Sequence, residues 1–235
     1  MMDLDVLLDD PPVLVLNKPG GLLTQAPAYL DSIERRVREL FRQQQEGENE
    51  GRVYVGVPHR LDRPASGALV VGRNLRATQR LSEQFAGRVV EKVYWALVQG
   101  RVEPDSGTWQ DFMRKVPGEA RAEKLDADHP DARLGVLHYH VCERSADWTR
   151  LEIRLETGRT HQIRLQCGLR GYPILGDSLY GATLPFGPVT DDERARWIAL
   201  HARRLTFSHT KRREPVQVVA PLPVWWNDHV AEFAR

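Results

Sequence analysis

Three observations predict an α+β fold for this chain of 235 residues. Short apolar runs of strand length recur along it. Two of them, Val136–Cys142 and Thr149–Leu155, alternate as an antiparallel pair would. Amphipathic helical stretches interrupt the runs at irregular intervals, which argues for one α+β domain over residues 1–235 rather than a doubly wound sheet.

The elements follow in order. Val13–Leu16 is a short apolar strand that ends at the turn signal Pro19-Gly20-Gly21. Asp31 stands where it would cap a helix whose apolar positions Ile33, Val37, Leu40 and Phe41 share one face. Residues 42–51, rich in Gln, Glu and Gly, read as a fraying helix end or a mobile loop. Val53–Val57 and Ala68–Val71 read as strands on either side of the turn-rich segment His59–Gly67. Asn74 caps a second helix that runs through Leu75, Thr78, Leu81 and Phe85, and Val93–Val98 is an apolar central strand. Residues 117–135, with Pro, Gly and Asp among them, read as a surface connection. In the antiparallel pair beyond it, Leu151, Ile153 and Leu155 point one way, and Glu152 and Arg154 the other. Thr157-Gly158-Arg159-Thr160 breaks the second strand, and Thr160 is placed to cap a helix over His161–Leu169. Strands recur near Leu205–Phe207 and Val216–Val219.

Composition is that of a soluble globular chain, 41% hydrophobic and 28% charged. No apolar run approaches the roughly 18 residues of a membrane span. The first ten residues are acidic where a secretory signal needs positive charge. The two cysteines, Cys142 and Cys167, match no zinc spacing and fit a reducing compartment, so a cytoplasmic protein is expected. The net charge of +1 conceals an uneven distribution. Residues 60–101 carry 8 basic against 3 acidic side chains, and residues 150–213 carry 12 against 6. Folded side by side, these two segments would offer a positive surface suited to a phosphate backbone. Arginine supplies 28 of the 33 basic residues, and its planar fork suits phosphate and base contacts.

Reactive side chains concentrate in two places. In His59-Arg60-Leu61-Asp62-Arg63-Pro64-Ala65-Ser66-Gly67 one carboxylate sits among two arginines and a histidine. Neighbouring guanidinium groups favour the ionised form of a carboxylate, which can then act as nucleophile, base or metal ligand. A structural Asp–Arg pair that holds a loop is the alternative. In Thr157-Gly158-Arg159-Thr160-His161-Gln162-Ile163-Arg164 a strand passes into a helix N-terminus, a place that favours anions. Arg159 and Arg164 could bind a phosphate there or pair with Asp62, or be exposed arginines on a capped helix. Tyr94 sits on the expected central strand, either as a core residue with a bonded hydroxyl or as a wall that stacks on a base. His138 and His140 share one strand face without a third ligand near in sequence and read as a surface pair. Lys18-Pro19-Gly20-Gly21 lacks the spacing of a phosphate-binding loop.

Six segments in order resemble the RluA family of RNA pseudouridine synthases. They are Asn17-Lys18-Pro19-x-Gly21-Leu22, His59-Arg60-Leu61-Asp62 with Ser66-Gly67, Glu91-Lys92-x-Tyr94-x-Ala96, Thr157 to Arg164, Pro173-Ile174-x-Gly176-Asp177-x-x-Tyr180-Gly181, and Leu200-His201-Ala202-x-x-Leu205-x-Phe207. The resemblance spans residues 13 to about 223. It implies a pseudouridine synthase fold, a mixed, largely antiparallel bent sheet with flanking helices and an RNA-binding cleft. It further implies that Asp62 is the catalytic aspartate, Tyr94 the active-site tyrosine and Arg164 the basic residue that pairs with the aspartate. Arg60 would take the place of the extruded uridine, and His59, Arg63, Arg159, His161 and Ile163 would contact RNA or the uridine. Metal and cofactor are expected to be absent, RNA to be the partner, and a monomer to be the working form. Ribosomal RNA of the large subunit is the expected substrate, with transfer RNA as the alternative. The chain begins almost at the first motif, so no S4 RNA-binding domain is expected. Three positions depart from the family pattern: Ala65 stands where Thr is usual, Gln166 and Cys167 replace a His and its neighbour, and Thr210 replaces a common Pro.

Overall fold

The computed structural model describes residues 4–44 and 53–226. Most of the expected loop at 42–51 therefore lies outside the described residues. The chain divides into two compact units, Met1–Glu91 with Ala202–Arg235, and Lys92–His201.

In the first unit β1 (Val6–Asp10), β2 (Val13–Lys18) and β3 (Ser66–Gly72) pair antiparallel in sequence order. β3 lies beside β9 (Leu200–Ser208), which in turn pairs antiparallel with β10 (Pro215–Val219). Every apolar residue from Val13 to Leu16 is fully buried, so β2 is covered on both faces. Val13 and Val15 pack with Ala68, Val70, Leu81, Leu205 and Phe207 in one cluster. Burial of a Val or Leu side chain stabilises by roughly 1.5–3 kcal/mol, so this cluster dominates the unit's cohesion. α1 (Ile33–Gln44) buries Ile33, Val37 and Phe41, spaced four apart along one face. α2 (Leu75–Ala86) starts as expected, with the Asn74 side chain accepting from Ala77 N at 2.8 Å.

Two expectations for this unit are corrected. The cap of α1 is Ser32, whose Oγ accepts from Arg35 N at 3.2 Å, while Asp31 pairs with Arg36 Nε at 3.1 Å. Val53–Val57 forms no strand. Only Gly56 bridges to Gly72, by reciprocal backbone bonds of 2.9 Å. A Cβ on Gly56 would lie 1.9 Å from Thr78 Oγ1, so the chain passes too close under α2 to continue as a strand with side chains on both faces.

In the second unit the antiparallel order is β4 (Glu91–Gln99), β8 (Trp148–Leu155), β7 (Arg133–Arg144), β5 (Ser106–Lys115) and β6 (Ala122–Lys124). The expected pairing of β7 with β8 holds, with Leu151 and Ile153 buried and Arg154 exposed. The stretch 117–135, expected as a plain surface connection, contains β6, which turns back on the end of β5. β5 is absent from the sequence expectations because its inward residues, Trp109, Asp111 and Met113, include a charge that breaks the apolar alternation. α3 (Gln162–Leu169) closes the unit, with Leu165 packed on Met113 and Ala122. Its expected cap, Thr160, is a further correction. The residue at the helix entry is His161, in the left-handed region at φ 52 and without a side-chain cap bond. The Gln162 side chain closes the turn instead, accepting from Thr157 Oγ1 at 2.7 Å and from Arg159 N at 3.0 Å.

Candidate active site

In the first unit the loop between Gly56 and β3 carries the Asp62 cluster, and the backbone around it is tied down from several directions. Thr24 Oγ1 both accepts from Leu61 N at 3.2 Å and donates to Leu61 O at 2.9 Å. Arg63 Nε donates to Gly21 O at 2.8 Å, across the turn that follows β2. His59 Nε2 accepts from Val70 N at 3.0 Å, and its ring stacks on Phe85 with centroids 4.3 Å apart. The loop ends at Gly67, whose φ of +114 and close approach to the Ala202 backbone admit no side chain. Between these anchors Asp62 and Arg63 are half-buried and Arg60 is exposed. Ala65, where the family pattern has Thr, is buried at 2% exposure, so this position points into the packing of the loop.

Beneath the loop lies Lys18, which the sequence alone marks only as the end of a strand. It is fully buried, and its Nζ donates to the carbonyls of Pro19 at 2.7 Å, Leu22 at 2.7 Å and Arg63 at 3.1 Å. Burial lowers its pKa to about 7, while the charge of Asp62 acts in the opposite sense. A buried ammonium is tolerable only with its donors satisfied, and here all three are. The outcome is a carboxylate carried on a loop that a buried cation pins from below.

In the second unit Tyr94 is half-buried on β4, opposite Ile153 of β8. The segment after β8 holds the other expected residues. Arg159 Nε donates to Leu134 O at 3.1 Å, and Ile163 is buried at 4% exposure. Arg164, also buried, forms a bidentate pair with Asp177, Nε to Oδ2 at 2.7 Å and Nη2 to Oδ1 at 2.8 Å. Its Nη1 lies 3.2 Å from the ring nitrogens of His161, and Tyr180 Oη lies 3.0 Å from His161 Nδ1. Asp177 and Tyr180 are residues that reasoning on charge and spacing missed. Their only signal in the sequence is their place in a motif with two turn glycines, Gly176 and Gly181, both at positive φ.

Gln166, where the family pattern has His, faces the opposite way from Arg164. Its Nε2 donates to Asp111 Oδ2 at 2.8 Å and Gly135 O at 3.3 Å, and Arg170 Nη1 shares the same Asp111 oxygen at 2.8 Å. That departure therefore belongs to the packing of α3 on β5 and β7. His138 and His140 are exposed on β7, with His138 Nδ1 at 2.9 Å from Thr108 Oγ1. Among the described residues no three His, Cys, Asp or Glu side chains converge as a metal ion would need. No described helix is long and apolar enough to cross a membrane.

Comparison with known proteins adds a family. Residues 12–168 match the family described as RNA pseudouridylate synthase. An uncharacterised RNA pseudouridine synthase of Bacillus subtilis is 36% identical over 225 residues, covering 94% of this chain and 70% of that protein. Ribosomal large subunit pseudouridine synthase D of Xylella fastidiosa is 37% identical over 227 residues, covering 94% of this chain and 66% of that protein. This chain thus spans about two thirds of the length of such relatives. Among solved structures, human RNA pseudouridylate synthase domain containing 4 superposes with a TM-score of 0.77 at 22% identity, covering 97% of this chain and 92% of that one. Human RNA pseudouridylate synthase domain containing 1 gives 0.74 at 24% identity, with 96% and 86% covered. At these identities the structures speak for the fold.

Proposed function

The chain belongs to the RNA pseudouridylate synthase family, isomerases that convert uridine to pseudouridine in RNA, and we propose that it modifies uridines of large-subunit ribosomal RNA through Asp62. The observation that carries the proposal is the Asp62 loop, a half-buried carboxylate held by Thr24, Arg63 and Lys18 inside the matched region.

In the proposed reaction the target uridine leaves its stack, at a cost of a few kcal/mol. Arg60, exposed beside Asp62, fills the vacated space. The Asp62 carboxylate engages the nucleoside, the bond from C1′ to N1 breaks, the uracil turns, and C5 bonds to C1′ as its proton leaves. Atoms balance without an external oxidant or phosphate donor. Tyr94 stacks on the base, and Arg164 balances the carboxylate's charge. His59, Arg63, Arg159, His161 and Ile163 complete the RNA contacts or support the groups that make them. The working form is a monomer in the cytoplasm.

Asp62→Asn tests the chemistry. It is expected to abolish tritium release from RNA labelled at uracil C5 while RNA binding stays within about twofold, because no measured anchor of the loop uses the Asp62 side chain. Full release by the variant would end the proposal, as would RNA binding by the wild type with no pseudouridine formed. Two relatives named for the ribosomal large subunit support that substrate. Pseudouridine mapping in total RNA from cells with and without the gene checks it: sites lost only from transfer RNA would overturn the ribosomal assignment.

A further inference from the structure

Two side chains of the segment Gly176–Gly181 hold the polar groups at the entry to α3, and nothing in the proposed reaction yet uses them. Asp177, 2% exposed, binds Arg164 through both carboxylate oxygens and so fixes the plane of the guanidinium. That leaves Nη1 as the third nitrogen. It lies 3.2 Å from both Nδ1 and Nε2 of His161. A nitrogen equidistant at that range from two atoms flanking Cε1 must sit out of the ring plane, since an in-plane position would overlap the ring. Arg164 therefore lies across the imidazole face and occupies neither lone pair.

Tyr180 settles what the ring nitrogens do. Its Oη accepts from Ala122 N at 2.8 Å, which leaves one hydroxyl proton to place. The candidates are Ala122 O at 3.4 Å and His161 Nδ1 at 3.0 Å. Hydroxyl–oxygen bonds cluster near 2.7–2.8 Å, so the first is a poor bond and the proton goes to Nδ1. A ring nitrogen that accepts carries no proton, and the imidazole proton then belongs to Nε2. The rings of Tyr180 and His161 meet edge to face at 81°, and Arg164 Cζ lies 5.1 Å from the Tyr180 centroid. His161 itself is held in the left-handed region, a conformation that non-glycine residues adopt where surroundings over-determine them.

We propose that Asp177 and Tyr180 are positioning residues for the isomerisation: Asp177 fixes the plane of Arg164, and Tyr180 fixes His161 as the tautomer that donates from Nε2 to an acceptor oxygen of the bound RNA. The inference rests on the function proposed above and adds to it a chain of control, Ala122 to Tyr180 to His161, with Arg164 clamped alongside.

Tyr180→Phe keeps the ring and removes the hydroxyl. In nitrogen–proton correlation spectra of the full chain labelled at histidine, wild-type His161 is expected as one neutral tautomer with the proton on Nε2, and Tyr180→Phe as a mixture. With a ribosomal RNA transcript, the variant is expected to lose about tenfold or more in kcat with KM within about twofold, as misplacement of a reacting group does. A protein that lost only stability would show neither the tautomer change nor the kcat-specific loss. His161→Gln, whose amide nitrogen falls near Nε2, should keep more activity than His161→Asn, whose nitrogen falls near Nδ1. A wild-type spectrum with the proton on Nδ1, unchanged kcat in Tyr180→Phe, or equal activity of the two His161 variants would overturn the proposal. Should Tyr180→Phe fail to fold, the wild-type spectrum and the His161 pair still decide. Absence of pseudouridine from wild-type reactions would instead strike the underlying function, and the spectrum, which needs no RNA, tells the two failures apart.

Discussion

The Asp62 loop of the first unit and the α3 entry of the second are held in opposite ways. Around Asp62 the fixing bonds end on backbone: Lys18 on three carbonyls, Thr24 on both groups of Leu61, Arg63 on Gly21 and His59 on Val70. At the α3 entry they run between side chains, Arg164 to Asp177, His161 to Tyr180 and Thr157 to Gln162. A loop fixed through its backbone can change its reactive side chain without losing its shape. A site fixed through side chains cannot, because each reactive group is also part of the scaffold.

The largest expected difference follows from that contrast. Asp177→Ala leaves the Arg164 guanidinium buried and uncompensated, which costs about 3–5 kcal/mol for a broken buried pair. Asp62→Asn, by comparison, should move the unfolding midpoint little, and urea denaturation of the two variants side by side would show it. Equal losses would erase the distinction between the two regions. Next in size is Thr24→Val, which removes the hydroxyl that serves both backbone groups of Leu61. Leaving a buried donor or acceptor unsatisfied costs about 1–3 kcal/mol, and here the loss should come with reduced tritium release, since the loop's register depends on it.

Lys18 sharpens the comparison through pH. Its folded pKa is about 7 against a model value of 10.5, so between those limits the unfolded chain binds more protons than the folded one. Stability attributable to this group therefore rises with pH across that window and is at its lowest below about pH 7. The stability difference between wild type and Lys18→Met is expected to shift in favour of the wild type by about 1 kcal/mol per pH unit from pH 7.5 to 9. A difference independent of pH would mean that Lys18 keeps its charge in the folded state.

How much of this was legible in the sequence depends on the kind of bond. The strands β2, β3, β4, β7, β8, β9 and β10 show as apolar runs or alternation, and α2 announces itself by Asn74. β5 does not, because Asp111 sits at an inward position and is matched only by Arg170 and Gln166, far off in sequence. Val53–Val57 misleads because composition cannot show that Gly56 must pass against Thr78. Asp62 and Arg164 were visible as charges in compact motifs. Lys18 was visible only as a lysine after an apolar strand, since its three carbonyl partners carry no side-chain signature. Asp177 and Tyr180 lie 13 and 19 residues from the groups they hold, beyond any local periodicity.

The smallest expected effect concerns Gln166, the departure from the family pattern that looked closest to the chemistry. Position 166 lies two residues after Arg164, and on a helix residues that close in sequence face apart. In agreement, Gln166 is fully buried against Asp111 and Gly135, on the side of α3 that packs on β5 and β7. Gln166→His can keep a donor toward Asp111, so it should alter stability by less than about 1.5 kcal/mol, the range of volume-conserving core changes. Tritium release should stay within about twofold of wild type. A tenfold gain in kcat would show that the position acts on the reaction after all, and that α3 carries catalytic information on both faces. A large loss of stability with unchanged kcat would leave the chemistry on the Arg164 face and confine position 166 to holding the helix on its sheet.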